Sequence, residues 1–431
     1  RVDFVDVGSV GHGAIARKAD IVLLHDVIAR GAKAGWRRIS EPYGGWPEFG
    51  LHWPDAETRR LSHGKGERKS ETLMVPPSRP LEVQRYIDLV HDLHTADRDA
   101  PSGHFVPVRE VNFDDPRVAD ALDRAHGVAE WVVTFDAIAN EQLLKNNGIK
   151  IIRNVAWPGS SHNVIVSTRK TSLPLRDRIA RQVMEIMPKT AEAAHAFADA
   201  CIDEAATISG RVVLRAARQE RNAYELLGLV LSKHVLMASL PERVVPVAWL
   251  QIDDFGEPLG LKSRKRADIL VLCAGEEAGR KFLDMYVIES KFVGSAGEAE
   301  ESRSSLEQTE ATTEDLKGRV LLDSDLLNRG LWRSRLADLI LEHGTFPGAV
   351  GDADARAWAS MVRSDDACIR IRGLSMVFVH DCMDGKPPAQ MARPSELRQY
   401  IFDRPEIARI FRGHEDPAST PPLRVVLPPP A

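Results

Sequence analysis

Asp268, Glu289 and Lys291 combine residue type and spacing in a way that could support hydrolytic chemistry. They lie in two runs of strand length, Ala267-Asp268-Ile269-Leu270-Val271-Leu272 and Tyr286-Val287-Ile288-Glu289-Ser290-Lys291-Phe292. Both runs are apolar or β-branched and bounded by turn-rich sequence, yet each carries charge where a buried strand should have none. The strand period of two places Val287, Glu289 and Lys291 on one face and Tyr286, Ile288, Ser290 and Phe292 on the other. A carboxylate and an ammonium in such surroundings are costly to bury without partners. Asp268 stands at the mouth of the preceding run and would meet Glu289 if the strands pair. Two carboxylates and a lysine converging at a sheet edge could hold a divalent cation and an activated water.

The elements before these strands fit that purpose. The segment Asn222 to Leu236 reads as an apolar helix with Glu225, Gly228 and Ser232 on its least bulky stripe. That stripe would let the helix approach a sheet closely and aim Glu225 at it; alternatively Glu225 only favours the helix dipole. Arg211 to Arg215 could form a short strand. Val244 to Gln251 and Gly260-Leu261 suggest a hairpin turning at Asp253-Asp254-Phe255-Gly256. Lys262, Arg264, Lys265 and Arg266 place four cations in five residues just before Asp268. Such a run reads as a solvated loop, and beside a carboxylate metal site also as phosphate-binding charge for DNA.

This order of helix with Glu, strand, strand with Asp, strand with Glu-x-Lys, helix and strand resembles the PD-(D/E)xK nuclease superfamily, from about Asn222 to Asp381. Asp268 matches the family's motif Asp, Glu289-Ser290-Lys291 its (D/E)xK, and Glu225 the acidic residue many members carry on the first core helix. Ala267 stands where the family often has Pro. The resemblance implies a restriction-endonuclease-like α/β core, a mixed sheet flanked by helices, and Mg²⁺-dependent hydrolysis of phosphodiester bonds, with Mn²⁺ able to substitute. Asp268 and Glu289 would ligate the metal and Lys291 would orient or help deprotonate the attacking water. Gln308 stands where some members carry a glutamine, but Ser305-Leu306-Glu307-Gln308 also fits a capping box, the reading favoured here. Arg319, Arg329, Arg333 and Arg335 are candidate backbone contacts or plain surface charge. His380 reads as an ordinary strand-end histidine.

The first half of the chain reads as α/β. Val2 to Val7, a glycine turn at Gly8 to Gly13, and Ala19 to Asp26 suggest strand, turn, strand; the glycines lack a dinucleotide-binding spacing. Trp36 to Pro80 reads as loop, with a basic, solvated run from Arg59 to Lys69. Residues 81–96 and 116–127 are helical in period. Ala129 to Asp136, a helix from Ala137 to Lys145, and Gly148 to Arg153 predict a parallel strand pair, with Asn163 to Ser167 a third strand. Asp136 reads as a helix N-cap. Domain boundaries follow: 1–173, an α/β domain; 174–208, a helical connection; 209–415, the nuclease-like domain; 416–431, a proline-rich tail or linker.

Composition narrows the function classes. The chain has 431 residues, 43% hydrophobic and 28% charged, with net charge -5, so nucleic-acid contact must be local rather than a basic coat. Cys201, Cys273, Cys368 and Cys382 are scattered without CxxC, which argues against disulfide framework and zinc site and fits a reducing cytosol. No apolar run reaches membrane-spanning length. No Walker A frame occurs, so an ATPase or helicase motor is expected elsewhere in the polypeptide or in a partner. The chain begins at Arg1 and reads as a piece of a longer polypeptide. The Trp131 to Asp136 segment, the Glu225 helix and Ile288-Glu289-Ser290-Lys291 together are similar to large bacterial defence helicase-nucleases, the phosphorothioation-dependent restriction family in particular. Two other readings stay open: a catalytically silent DNA-binding or assembly module, and a repair or recombination nuclease.

Overall fold

A computed structural model of the chain describes residues 19–39, 58–63, 67–74, 81–95, 103–112, 115–136, 149–155, 163–169, 173–218, 221–255, 259, 261, 265–277, 279–321, 326–343, 358–363, 368–384, 389–392, 396–415, 420 and 422–428. The glycine cluster at 8–13 and the expected helix at 137–145 lie outside these residues. The fold is α/β, in two compact units, 1–170 and 171–431.

The first unit contains β1 (Ala19–His25), β2 (Lys33–Ile39), β3 (Thr58–His63), β4 (Glu67–Leu73), α1 (Leu81–His94), β5 (His104–Asn112), α2 (Pro116–Val128), β6 (Ala129–Asp136), β7 (Lys150–Val155) and β8 (Asn163–Thr168). One sheet runs β1-β6-β8-β7 and a second, antiparallel, runs β2-β5-β4-β3. The expected β6/β7 pair is not formed: β8 inserts antiparallel between them, and the parallel partner of β6 is β1. The basic run read as loop is also ordered differently, since β3 and β4 pair as a hairpin that sets Arg59 against Glu71 and His63 against Glu67. Asp115 starts α2 by accepting the Arg117 amide at 2.9 Å, with Pro116 in the first turn where a missing N–H costs nothing. Asp136 is fully buried, and its Oδ2 accepts the amides of Ile28 (2.7 Å) and Ala29 (3.0 Å). Its carboxylate caps the turn after β1, a long-range contact; the helix it was expected to cap lies outside the described residues.

The second unit holds α3 (Leu173–Ile186), α4 (Ala191–Ile208), α5 (Gly210–Arg218), α6 (Arg221–Ser239), β9 (Val244–Gln251), α7 (Ile252–Phe255), β10 (Ile269–Glu277), β11 (Arg280–Val293), α8 (Glu298–Val320), α9 (Leu326–His343), β12 (Cys368–Val379), β13 (Ala389–Ala392), β14 (Leu397–Phe402) and α10 (Arg404–Glu415). Its six-stranded sheet runs β13-β14-β12-β11-β10-β9. β11, β12 and β14 are mutually parallel, β10 pairs antiparallel with β11 and with β9, and β13 pairs antiparallel with β14, so the sheet is mixed. Helices cover both faces, which is why β10 and β11 read as nearly continuous apolar runs. Ile269, Val271, Tyr286, Ile288 and Phe292 pack in one core with α3–α6 and α10. Leu270, Leu272, Met285 and Val287 pack in the other with α8 and α9. By the same alternation Glu289 and Lys291 belong to the α8 face and Ser290 to the α6 face, as their period requires.

Three sequence expectations fail here, each for lack of a non-local partner. Residues 174–208 are not a connection: Ala194, Ala198, Cys201 and Ala205 of α4 repeat every three or four residues and are fully buried in the core. The Arg211 to Arg215 strand is helix α5, whose Val212, Val213 and Ala216 face that core. The hairpin does not turn at 253–256, where α7 forms; β9 instead pairs with β10 across that helix and the following loop. The proline-rich end is also docked. Leu423 and Val425 are buried, the Val425 amide donates to Ser239 Oγ at 2.9 Å, and Arg372 Nη1 donates to the Pro428 carbonyl at 2.6 Å.

Candidate active site

The β10/β11 ladder builds the site. Ile269 pairs with Ile288, and the Asp268 amide donates to the Ile288 carbonyl at 3.1 Å, so Asp268 stands opposite Glu289. Ser290 N–H donates to Asp268 Oδ2 at 3.1 Å and fixes the carboxylate against the β11 backbone. Ala267 N–H donates to Thr312 Oγ1 of α8 at 2.9 Å, anchoring the residue before it. Two residues along β11 from Glu289, Lys291 Nζ lies 2.8 Å from Glu289 Oε1 and 3.8 Å from Glu301 Oε2 of α8.

Electrostatics reflect this crowding. Glu289 is 1% exposed; burial, and then the Asp268 charge, pushes its carboxyl well above the usual range although Lys291 opposes this. Burial likewise raises Asp268, against the pull of Lys291 and of the Ser290 N–H. Burial disfavours the Lys291 ammonium, but Glu289, Asp268 and Glu301 outweigh it and hold the group above its ordinary value. Glu289 Oε2 is buried and has no hydrogen-bond partner among the described residues. Such an orphan costs about 1–3 kcal/mol, more for a charged group, and a cation between the carboxyls would satisfy it. Among the described residues no three of His, Cys, Asp and Glu come together as a metal-holding group. Mg²⁺ at Asp268 and Glu289 would therefore complete its octahedron with backbone, water or phosphate oxygens. The residues present fit the ion on that basis.

Glu225 reaches the same place from the other face. α6 approaches β11 closely because Gly228 has no side chain; a Cβ there would stand 2.7 Å from Ser290 Oγ. Ser232 Oγ donates to Ser290 Oγ at 3.0 Å along the same stripe. Glu225 is paired with Arg215 Nη2 at 2.5 Å. Burial raises its carboxyl, Arg215 opposes this, and Asp268, Asp253 and Lys291 all act on it, which places it within the electrostatic reach of the pair. Sequence reasoning missed Arg215 and Glu301. Arg215 was hidden in a segment read as strand, and Glu301 precedes the point where α8 was expected to start.

The basic run contributes less than expected. Lys262 and Arg264 lie outside the described residues, Lys265 is exposed, and Arg266 donates to the Leu261 carbonyl at 2.6 Å, spending part of its charge on the loop. Arg319 and Arg335 sit over the Trp332 ring, 5.1 and 5.5 Å from its centre, and so serve helix packing. Arg333 is buried, and the Arg329 side chain lies outside the described residues. The capping box at Ser305 to Gln308 does not exist, because α8 already begins at Glu298. Ser305 instead shares a hydrogen bond with Ser375 at 2.7 Å, and Gln308 Oε1 is buried without a partner among the described residues. No helix among the described residues is long and apolar enough to cross a membrane. Neither a protein-family model, nor a curated protein, nor a solved structure matches this chain.

Proposed function

We propose that the second unit is a metal-dependent nuclease that hydrolyses phosphodiester bonds in DNA. The observation that carries this reading is the convergence of Asp268 and Glu289 at one strand end, with Lys291 2.8 Å from Glu289 and one Glu289 oxygen left without a partner. Burial raises both carboxyls, and the Asp268 charge raises Glu289 further, so a cation would compete with protons for the pair. Bound there, Mg²⁺ or Mn²⁺ would polarise a phosphate oxygen and lower the pKa of a bound water. Asp268, held by the Ser290 amide, fixes where the phosphate sits. Lys291 supplies positive charge beside the pair, where negative charge grows on the pentavalent phosphate. Glu225, tethered by Arg215, would orient a water on the α6 side. Gln308, whose buried Oε1 has no partner among the described residues, stands on α8 where some PD-(D/E)xK nucleases carry a glutamine.

The finer reading is a module of a bacterial restriction or anti-phage defence protein of the phosphorothioation-dependent kind, in the cytoplasm, with its ATPase or helicase motor in other sequence or a partner. It rests on the resemblance alone. A silent DNA-binding or assembly module is favoured by one observation: Lys291 already neutralises Glu289 without any ion. Incubating the purified chain with plasmid and linear DNA in Mg²⁺, Mn²⁺ or EDTA decides between them. Metal-dependent cleavage lost in Glu289→Ala and Lys291→Ala supports the nuclease. DNA binding without cleavage in any metal supports the silent module.

A further inference from the structure

Three aromatic rings lie nearly parallel on the α6 side of the sheet: Tyr224 of α6, Phe292 of β11, and His380 just after β12. Their centroids are 5.6 Å apart for Tyr224–Phe292, 5.6 Å for Tyr224–His380 and 5.1 Å for Phe292–His380, with planes within 19°, 8° and 16°. In a linear stack the outer rings would be about twice as far apart as neighbours. Three nearly equal sides mean that the rings are offset against one another rather than piled in a column. Phe292 is buried beneath, while Tyr224 and His380 are only partly covered.

Position ties this face to the chemistry. Tyr224 directly precedes Glu225, which is within electrostatic reach of Asp268 and Lys291, and Phe292 follows Lys291 in β11 with its ring on the α6 face, the same side as Glu225. The His380 amide donates to the Val293 carbonyl at 3.0 Å. The next residue, Asp381, accepts the Ser295 amide at 2.6 Å and its hydroxyl at 3.1 Å. The ends of β11 and β12 are thus locked together, which fixes the backbone that carries His380.

We propose that Tyr224, Phe292 and His380 form a stacking face for a nucleobase next to the scissile phosphate, so that the site takes an unpaired nucleotide in preference to intact duplex. The proposal rests on the nuclease reading. A base inside a duplex has both faces occupied by its neighbours, so it can stack on protein only where the strand is single or the base is turned out.

The test uses the full chain and oligonucleotides carrying 2-aminopurine, single-stranded or in a blunt duplex, titrated in EDTA. The parent and the ring-preserving variants Tyr224→Phe and His380→Phe should quench the single-strand probe and bind it more tightly than duplex. Tyr224→Ala and His380→Ala should lose the quenching and weaken single-strand binding roughly tenfold, the size of one base–ring stack. Unchanged quenching in the alanine variants, or a parent that binds duplex as tightly as single strand, overturns the stacking face. Cleavage in Mn²⁺ is scored in parallel. Cleavage without strand preference leaves the nuclease standing and removes this proposal; stacking without cleavage in any metal removes the nuclease, and with it the scissile phosphate this proposal needs.

Discussion

Lys291 Nζ lies 2.8 Å from Glu289 Oε1, and the other oxygen of that buried carboxyl has no partner among the described residues. The pair is therefore half satisfied. Truncating either partner has different consequences. Lys291→Met removes the cation and leaves Glu289 in apolar surroundings, where it stays protonated. The fold should persist, and cleavage should fall roughly 100-fold or more, as for loss of a proton-handling group. Glu289→Gln keeps the shape but weakens the cation site, and cleavage should be lost at every metal concentration that supports the parent. Retained cleavage in Glu289→Gln would mean that the chemistry lies elsewhere.

Thermal unfolding with and without metal tests the carboxyl pair independently of any DNA. A ligand that binds only the folded chain stabilises it by RT ln(1 + [L]/Kd), so Mn²⁺ or Mg²⁺ should raise Tm. Glu289 and Asp268 are both raised above their ordinary values, so protons compete with the ion for them. The gain in Tm should accordingly be larger at pH 8 than at pH 5, and absent in Glu289→Gln. An equal gain in parent and variant would place the ion at another site.

The legible part of the site is the part whose geometry is local. Strand alternation puts Glu289 and Lys291 on one face and Ser290 on the other, and one antiparallel turn brings Asp268 opposite Glu289. The small stripe Glu225, Gly228, Ser232 works the same way within one helix. What sequence did not reveal depends on distant partners. Arg215 reaches Glu225 only because α5 is a helix, and its Val212-Val213-Leu214 core is equally good strand sequence. Asp136 caps Ile28 and Ala29 across 108 and 107 residues. The terminal prolines look like a linker, yet Leu423 and Val425 alternate inward against a core built from sequence some two hundred residues earlier.

Gly228 shows how tightly the helix carrying Glu225 is set. Its Cβ would stand 2.7 Å from Ser290 Oγ and 3.6 Å from Phe292 Cβ. Alanine favours a helix over glycine by about 1 kcal/mol, but here the clash should dominate and Gly228→Ala should destabilise by about 1–3 kcal/mol. Adding Ser290→Ala removes the offending oxygen, so the double variant should recover part of the loss despite the missing Ser232 hydrogen bond. Urea unfolding of both variants measures this. A neutral Gly228→Ala would show that α6 can shift freely and that Glu225 is not held.

Glu204 supplies the acid-sensitive tie between α4 and α6. Its Oε2 lies 2.8 Å from His234 Nε2 and its Oε1 3.1 Å from Lys233 Nζ. Burial alone would raise the carboxyl, but His234 and Lys233 outweigh it and lower it from 4.5 to about 2. A folded pKa below the unfolded one means that the unfolded chain binds more protons in between, so stability rises with pH there. The contribution is present above about 4.5 and is lost as pH falls toward 2. After allowance for solvent screening it is on the order of 1–2 kcal/mol. Glu406, raised by burial to about 7, has the opposite sign: its contribution is full below 4.5 and fades as pH rises through 7. Glu204→Gln should thus unfold at lower urea than the parent at pH 7, with the gap closing steadily below pH 4.5. A gap of the same size at pH 3 and pH 7 would mean that Glu204 acts through packing alone, and that the His234 and Lys233 pairs contribute nothing to holding the two helices together.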